Sequence, residues 1–229
     1  MTLLIGTVSN KHIVVTSDRR CTVEEHGVVS QSDNFQKIFP ATGHPLAIVH
    51  HGENVFLAED GSPIPVGSFL STFMPENADI FDQPSMTSMS RLLCERLEQT
   101  VVRTLMSRGK RLVGFWIAGF ARGSTKPELH EICWHKDGRR EVKKHGNLVI
   151  GGDSQEHLPP NVRDRLDGTY HLDMLPKATI ERARRYHNKL FDIALQKESE
   201  PRRFSDSRDQ LSINKEGCHW IIQPIQATT

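Results

Sequence analysis

The chain has 229 residues, 29 basic against 28 acidic, a formal net charge of +1 and four cysteines. That length fits one sizeable domain whose core needs no staples, and the balanced charge excludes a global field that would draw in nucleic acid or a membrane surface. Cys21, Cys94, Cys133 and Cys218 are scattered without a CxxC pair, which fits a reducing compartment and makes the cytoplasm the expected address.

The start has no leader pattern, so Met1 is expected to be the true first residue, and no segment approaches the roughly 20 apolar residues of a membrane span. "TLLIGTVS" and "IVVTSD" read as strands joined by a turn at Asn10, Lys11 and His12. "GVVSQ", "FQKIF" and "PLAIVHHG" continue as strands, the last ending at Gly52, so the first fifty residues read as all-β. "ENVFLAED" could open a helix, interrupted by the prolines and glycines of "GSPIPVGS".

From Ser88 to Arg108 the apolar residues recur at three- and four-residue steps, which predicts an amphipathic helix closed by Gly109. "LVGFWIAGFA", "ELHEICWH" and "NLVIGGD" predict an antiparallel meander. A short helix at 161–166 and a long one over 177–196 follow, and two closing strands lie around Lys215, Glu216 and Gly217. Strands, helices, strands, helices, strands, without strict β-α alternation, predict one α+β domain over 1–229: a four-layer α/β/β/α sandwich of two antiparallel sheets between helices.

Thr2 opens the first strand, and "DRRCT" places Asp18, Arg20 and Thr22 at fixed steps, followed by Lys37 in "FQKIF". This pattern resembles the proteasome β-subunit type of N-terminal nucleophile hydrolase, including the HslV-type peptidase and related bacterial proteasome homologues. In that family a chain-terminal Thr is followed by a strand, a hairpin, an Asp-x-Arg-x-Thr stretch and a strand-closing Lys, here after a three-residue insertion. "LAIVHHG", "LVIGGDS" and "SDSRDQLSI" resemble, more loosely, the family's strand-end glycine turn, its Gly-Ser-Gly turn and its late aspartate segment.

The resemblance implies a threonine-type endopeptidase subunit that uses Thr2 as nucleophile once Met1 is removed. A threonine hydroxyl needs a positioned base, and the freed α-amine, with a reference pKa of about 8, can be that base. Lys37 would supply positive charge beside the hydroxyl, and Asp18 would hold Lys37 charged and oriented. By resemblance the backbone N–H of His51 serves the oxyanion, Gly152 and Asp206 stand at the family's serine and late-aspartate positions, and Arg20 and Thr22 flank the cleft, Thr22 pairing its main chain with an extended peptide. Cys21, Phe35, Val49 and Glu53 would line the pocket for the residue before the cut.

The chain departs from the family pattern where His50 and His51 replace glycines, where Gly152 replaces serine, and where Asp206 lacks the usual following serine. Those departures keep open a catalytically silent scaffold, and an amidase of the same chemistry acting on small amides is a further reading. A family member would form stacked homo-oligomeric rings acting on peptides or unfolded proteins, with a possible ATP-dependent unfoldase partner and no nucleic acid or membrane. His50 with His51, Cys133 with His135 and Cys218 with His219 lack metal-ligand spacing, so no metal and no cofactor is expected. Cys21 as a thiol nucleophile is a minor rival, and the "RARRYH" cluster reads as a solvated helix face.

Overall fold

The computed structural model describes residues 2–25, 28–58, 60–102, 113–135, 139–151, 172–197 and 205–222. Strands β1 (Leu4–Val8) and β2 (Ile13–Asp18) form the first hairpin, in which Ser9 Oγ accepts from the N–H groups of Lys11 and His12 and so satisfies the turn's donors. Two ribbons follow: β3 (Cys21–Glu25) with β4 (Val28–Ser32), and β5 (Ile38–Pro40) with β6 (Leu46–Gly52). A short pair, β7 (Val55–Leu57) and β8 (Pro63–Pro65), leads into helices α1 (Val66–Glu76) and α2 (Met86–Leu97). Then come β9 (Val113–Gly119), β10 (Glu128–Trp134), β11 (Arg140–Lys144), β12 (Leu148–Gly151), helix α3 (Ile180–Lys197), β13 (Arg208–Asn214) and β14 (Gly217–Ile222).

Two five-stranded antiparallel sheets carry the molecule, one in the order β12-β1-β2-β13-β14 and the other β11-β10-β9-β6-β5. Alternation along the strands gives each sheet two apolar faces. Leu4, Val15 and Leu211 from the first sheet meet Val49, Trp116 and Leu129 from the second in a core between the sheets. On the outer face of the second sheet Ile48, Phe115 and Ile117 pack with Leu70 and Phe73 of α1 and Leu93 of α2, while Leu3 and Ile5 carry Tyr186 and Phe191 of α3 on the first.

The expected four-layer α/β/β/α sandwich does not describe these residues. They are about 40% strand against 30% helix, with three α-helices, and a single one of these covers the first sheet. The antiparallel sheets are as expected; the balanced helix layers are not, since among the described residues α1 and α2 both pack on the second sheet and α3 alone on the first. The helix expected over 88–108 is α-helical only from Met86 to Leu97, then widens into a π turn at Glu98–Val102, and 103–112 lie outside the described residues, as does the helix expected at 161–166.

"ENVFLAED" opens a strand instead of a helix: Val55 and Phe56 pair back onto Pro65 and Ile64, and Gly61 takes a φ of 85° in the connection. The long C-terminal helix begins three residues later than predicted, since Pro176 lies in a 3-10 turn at Leu172–Lys177. Among the described residues no helix is long and apolar enough to cross a membrane.

Candidate active site

Asp18 closes β2, and its carboxylate is the hub of the site. Its Oδ1 accepts from the Leu3 N–H at 2.8 Å and from the Lys37 ammonium at 2.8 Å, and its Oδ2 accepts from the Arg20 N–H at 3.0 Å. The Asp18 N–H donates in turn to the Leu3 carbonyl at 3.1 Å. The peptide that follows Thr2 is thus gripped from both sides by the residue that holds Lys37. Asp18 and Lys37 are both 0% exposed, and Thr2, which precedes the Leu3 that Asp18 holds, is buried as well. Lys37 is held further by the Arg20 carbonyl, which accepts from its Nζ at 2.8 Å.

A buried ammonium loses its charge unless it is paired, and here a carboxylate and a carbonyl both face Nζ. The main chain of Lys37 is fixed as well, its carbonyl accepting from His50 N–H at 2.9 Å where β6 runs past the start of β5. Four residues distant in sequence (Leu3, Asp18, Lys37 and His50) are therefore locked into one short network at the ends of β1, β2, β5 and β6.

The guanidinium of Arg20 is engaged by Asp33 through two contacts of 2.7 and 2.8 Å, which hold the Asp33 carboxyl below its usual range. Cys21 is buried at the start of β3 with Asn54 Nδ2 at 3.2 Å from its sulfur, and burial pushes its thiol up, away from the thiolate form a nucleophile needs. Thr22 is partly buried on the same strand, opposite Gln31. Phe35 packs on the helix-side core, Val49 is fully buried between the sheets, Glu53 is partly exposed after β6, and Asp206 is exposed just ahead of β13. Gly152 lies outside the described residues.

Both histidines of "VHHG" are buried, on opposite faces of β6. His50 lies with Phe115 and Phe56 at ring separations of 5.4 and 6.2 Å, and burial keeps its pKa well below the usual value, so the ring is neutral. His51 faces the other way, its Nε2 at 3.0 Å from Glu131 Oε1. Trp116 Nε1 donates to the same oxygen at 3.1 Å, and His145 Nε2 is 2.8 Å from Oε2. Burial opposes ionisation of Glu131, but the hydrogen bonds from His145 and His51 outweigh it and hold the carboxyl well below the carboxylate range.

Sequence reasoning missed Glu131. Its signal is the alternation of "ELHEICW", in which Leu129, Glu131 and Cys133 share the inward phase, so that a charge stands at a core position.

A second missed charge is Asp209, buried on β13 with Arg19 Nε at 3.5 Å. Burial pushes its carboxyl up to about 6, against the pull of Arg19 and Lys37. Among the described residues no group of three His, Cys, Asp or Glu side chains is arranged to hold a metal ion. A cavity of about 340 Å³ between β5 and α1, lined by Phe39, Leu70, Met74 and Phe81 with Gln36 and His44 at its polar edge, contains none of the expected site residues.

No family model and no curated protein matches the chain. Among solved structures, that of an Anbu (Gly-1) mutant from Hyphomicrobium sp. strain MC1 matches over 100% of this chain and 88% of that one, with a TM-score of 0.65 and 12% identity. At that identity the likeness shows a shared fold alone.

Proposed function

We propose that the chain is a proteasome-like threonine peptidase in which Thr2, freed of Met1, is the nucleophile. The observation that carries this reading is the double grip of Asp18 on Leu3 and Lys37, which ties the residue next to Thr2 to a buried cation. A Thr–Lys–Asp constellation has little structural use at the head of a strand, where an apolar residue would fill the space without the desolvation of two charges.

The chemistry follows from the charges. The Thr2 α-amine takes the proton of the hydroxyl as the oxygen attacks the carbonyl carbon. Lys37 lowers the energy of the oxygen that develops charge: a unit charge about 4 Å away at an effective dielectric of about 20 is worth roughly 4 kcal/mol. Asp18 orients the Lys37 ammonium and balances its charge in the buried setting. A backbone N–H at the end of β6 would receive the carbonyl oxygen as it becomes an oxyanion. The amine then returns its proton to the departing amide nitrogen, and water, activated by the same amine, cleaves the Thr2 ester.

By the sequence resemblance to proteasome β-subunits, the working unit is a homo-oligomeric ring acting on peptides or unfolded chains. Hydrolysis of a fluorogenic peptide series by wild type and by Thr2→Ala tests the reading. Turnover in the first and none in the second is expected; equal turnover, or none in a wild type shown by mass to lack Met1, overturns it.

A further inference from the structure

Backbone alternation at the end of β6 bears on which amide faces the reacting carbonyl. His50 donates its N–H to the Lys37 carbonyl, on the β5 side. Successive amides of a strand point to opposite sides, so the His51 N–H turns toward β9, where His51 stands in register with Gly114 inside the ladder. The next amide on the Lys37 side is that of Gly52. Pairing of β5 with β6 ends at Ile38 opposite Val49, so beyond the His50 bond no strand of that ribbon covers this edge.

Two further observations hold this arrangement. Gly52 has a φ of 92°, a left-handed conformation that glycine adopts freely and histidine rarely, so the chain can swing out of the sheet at Gly52 and not before. The His51 ring is anchored on the inner face by Glu131, itself held by Trp116 and His145, and the ring fills the space over Gly114, where a Cβ would overlap it. An ionised carboxylate only accepts, so His51 carries its proton on Nε2 toward Glu131. A peptide flip at His51 would drag this anchored ring out of a partly buried polar cluster.

We infer that the backbone N–H of Gly52, and not that of His51, is the oxyanion donor of the Thr2 site, with Glu131 as a positioning residue that keeps His51 in the ladder. This inference rests on the reading of Thr2 as nucleophile. It turns the replacement of glycine by His50 and His51 from an obstruction into a one-residue displacement of the donor: the two rings occupy opposite faces of β6, and the glycine that the turn requires comes immediately after them.

The test uses the full chain with Gly52 replaced by glycolic acid, which exchanges its N–H for an ester oxygen, and a matching α-hydroxy acid at His51. Removing a true oxyanion donor lowers the rate by about 100-fold or more. We expect that loss in the maximal rate of labelling by a peptide epoxyketone for the Gly52 ester, with half-saturation little changed, whereas the His51 ester loses ladder stability and labels near the wild-type rate. Amide exchange at single-residue resolution on the unmodified protein bound to a peptide aldehyde provides a second measurement that does not depend on either ester folding: slowed exchange at Gly52 with His51 unchanged is expected.

An ester at Gly52 that labels like wild type, or exchange slowed at His51 alone, overturns the inference while leaving the reading of Thr2 intact. A wild type lacking Met1 that forms no adduct removes the reading itself, and the inference with it.

Discussion

The Lys37 ammonium and the Asp18 carboxylate meet at 2.8 Å with neither side chain exposed, and the same carboxylate oxygen accepts from the Leu3 amide. Removing one member of such a pair strands the other charge in a dry site, which costs about 3–5 kcal/mol, while removing both costs far less. Lys37→Met is therefore expected to lower the free energy of unfolding by that amount, and Lys37→Met with Asp18→Asn to recover much of it. Urea denaturation of the two variants, read against wild type, checks this; equal losses in both would show that the pair is not the unit that matters.

Asp209 carries the opposite sign. Burial raises its pKa to about 6, so the folded state binds a proton that the unfolded chain, with an ordinary carboxyl, has already released. Its ionised form is costly: stability is lost as pH rises from about 4 to about 6, and the loss is complete above that. A shift of about two units corresponds to about 3 kcal/mol. Asp209→Asn is expected to stabilise the protein by up to that amount at pH 8 and to give no gain at pH 3, in a series of thermal melts across pH.

His187 on α3 sits between the Thr7 and Thr16 hydroxyls, 2.7 Å from each, and burial lowers its pKa to about 3. The folded ring stays neutral while the unfolded ring takes a proton below about 6.5, so stability falls as pH drops from that value toward 3. By pH 4 the loss is about 3 kcal/mol. His187→Gln is expected to flatten this part of the acid-unfolding curve while costing stability at pH 7; a curve parallel to wild type would contradict it.

At Gly114 an added Cβ would run into the His51 ring. Gly114→Ala is expected to cost about 1–3 kcal/mol by overpacking, and the cost should largely vanish in a His51→Ala background, where the space is empty. A double-mutant cycle in denaturant measures the coupling, and simple additivity would mean that the ring does not occupy that space.

Much of this was legible in the chain before its folding was known. The spacing of Asp18, Arg20, Thr22 and Lys37 stands out through its resemblance to the proteasome β-subunit pattern, and the apolar runs at Leu46–Gly52 and Val113–Gly119 mark buried strands. The helix layers were overread: the three- and four-residue period continues past Leu97, but period alone does not report where an α-helix widens into a π turn.

Glu131, His145 and Asp209 were not legible, because their meaning comes from contacts across sheets and strands. His51 and Glu131 are 80 residues apart, and nothing local in "ELHEICW" says which partner an inward carboxylate will find. The direction of the His51 amide was hidden for a similar reason. Alternation fixes it only once the His50 bond to Lys37 sets the phase.

The central claim is that Thr2 is the nucleophile, and the most direct measurement is mass spectrometry of the protein after exposure to a peptide epoxyketone. The account predicts a chain lacking Met1, one adduct per chain, fragment ions that place it on Thr2, and none in Thr2→Ala. An unlabelled chain that lacks Met1, or an adduct that persists in Thr2→Ala, would contradict it.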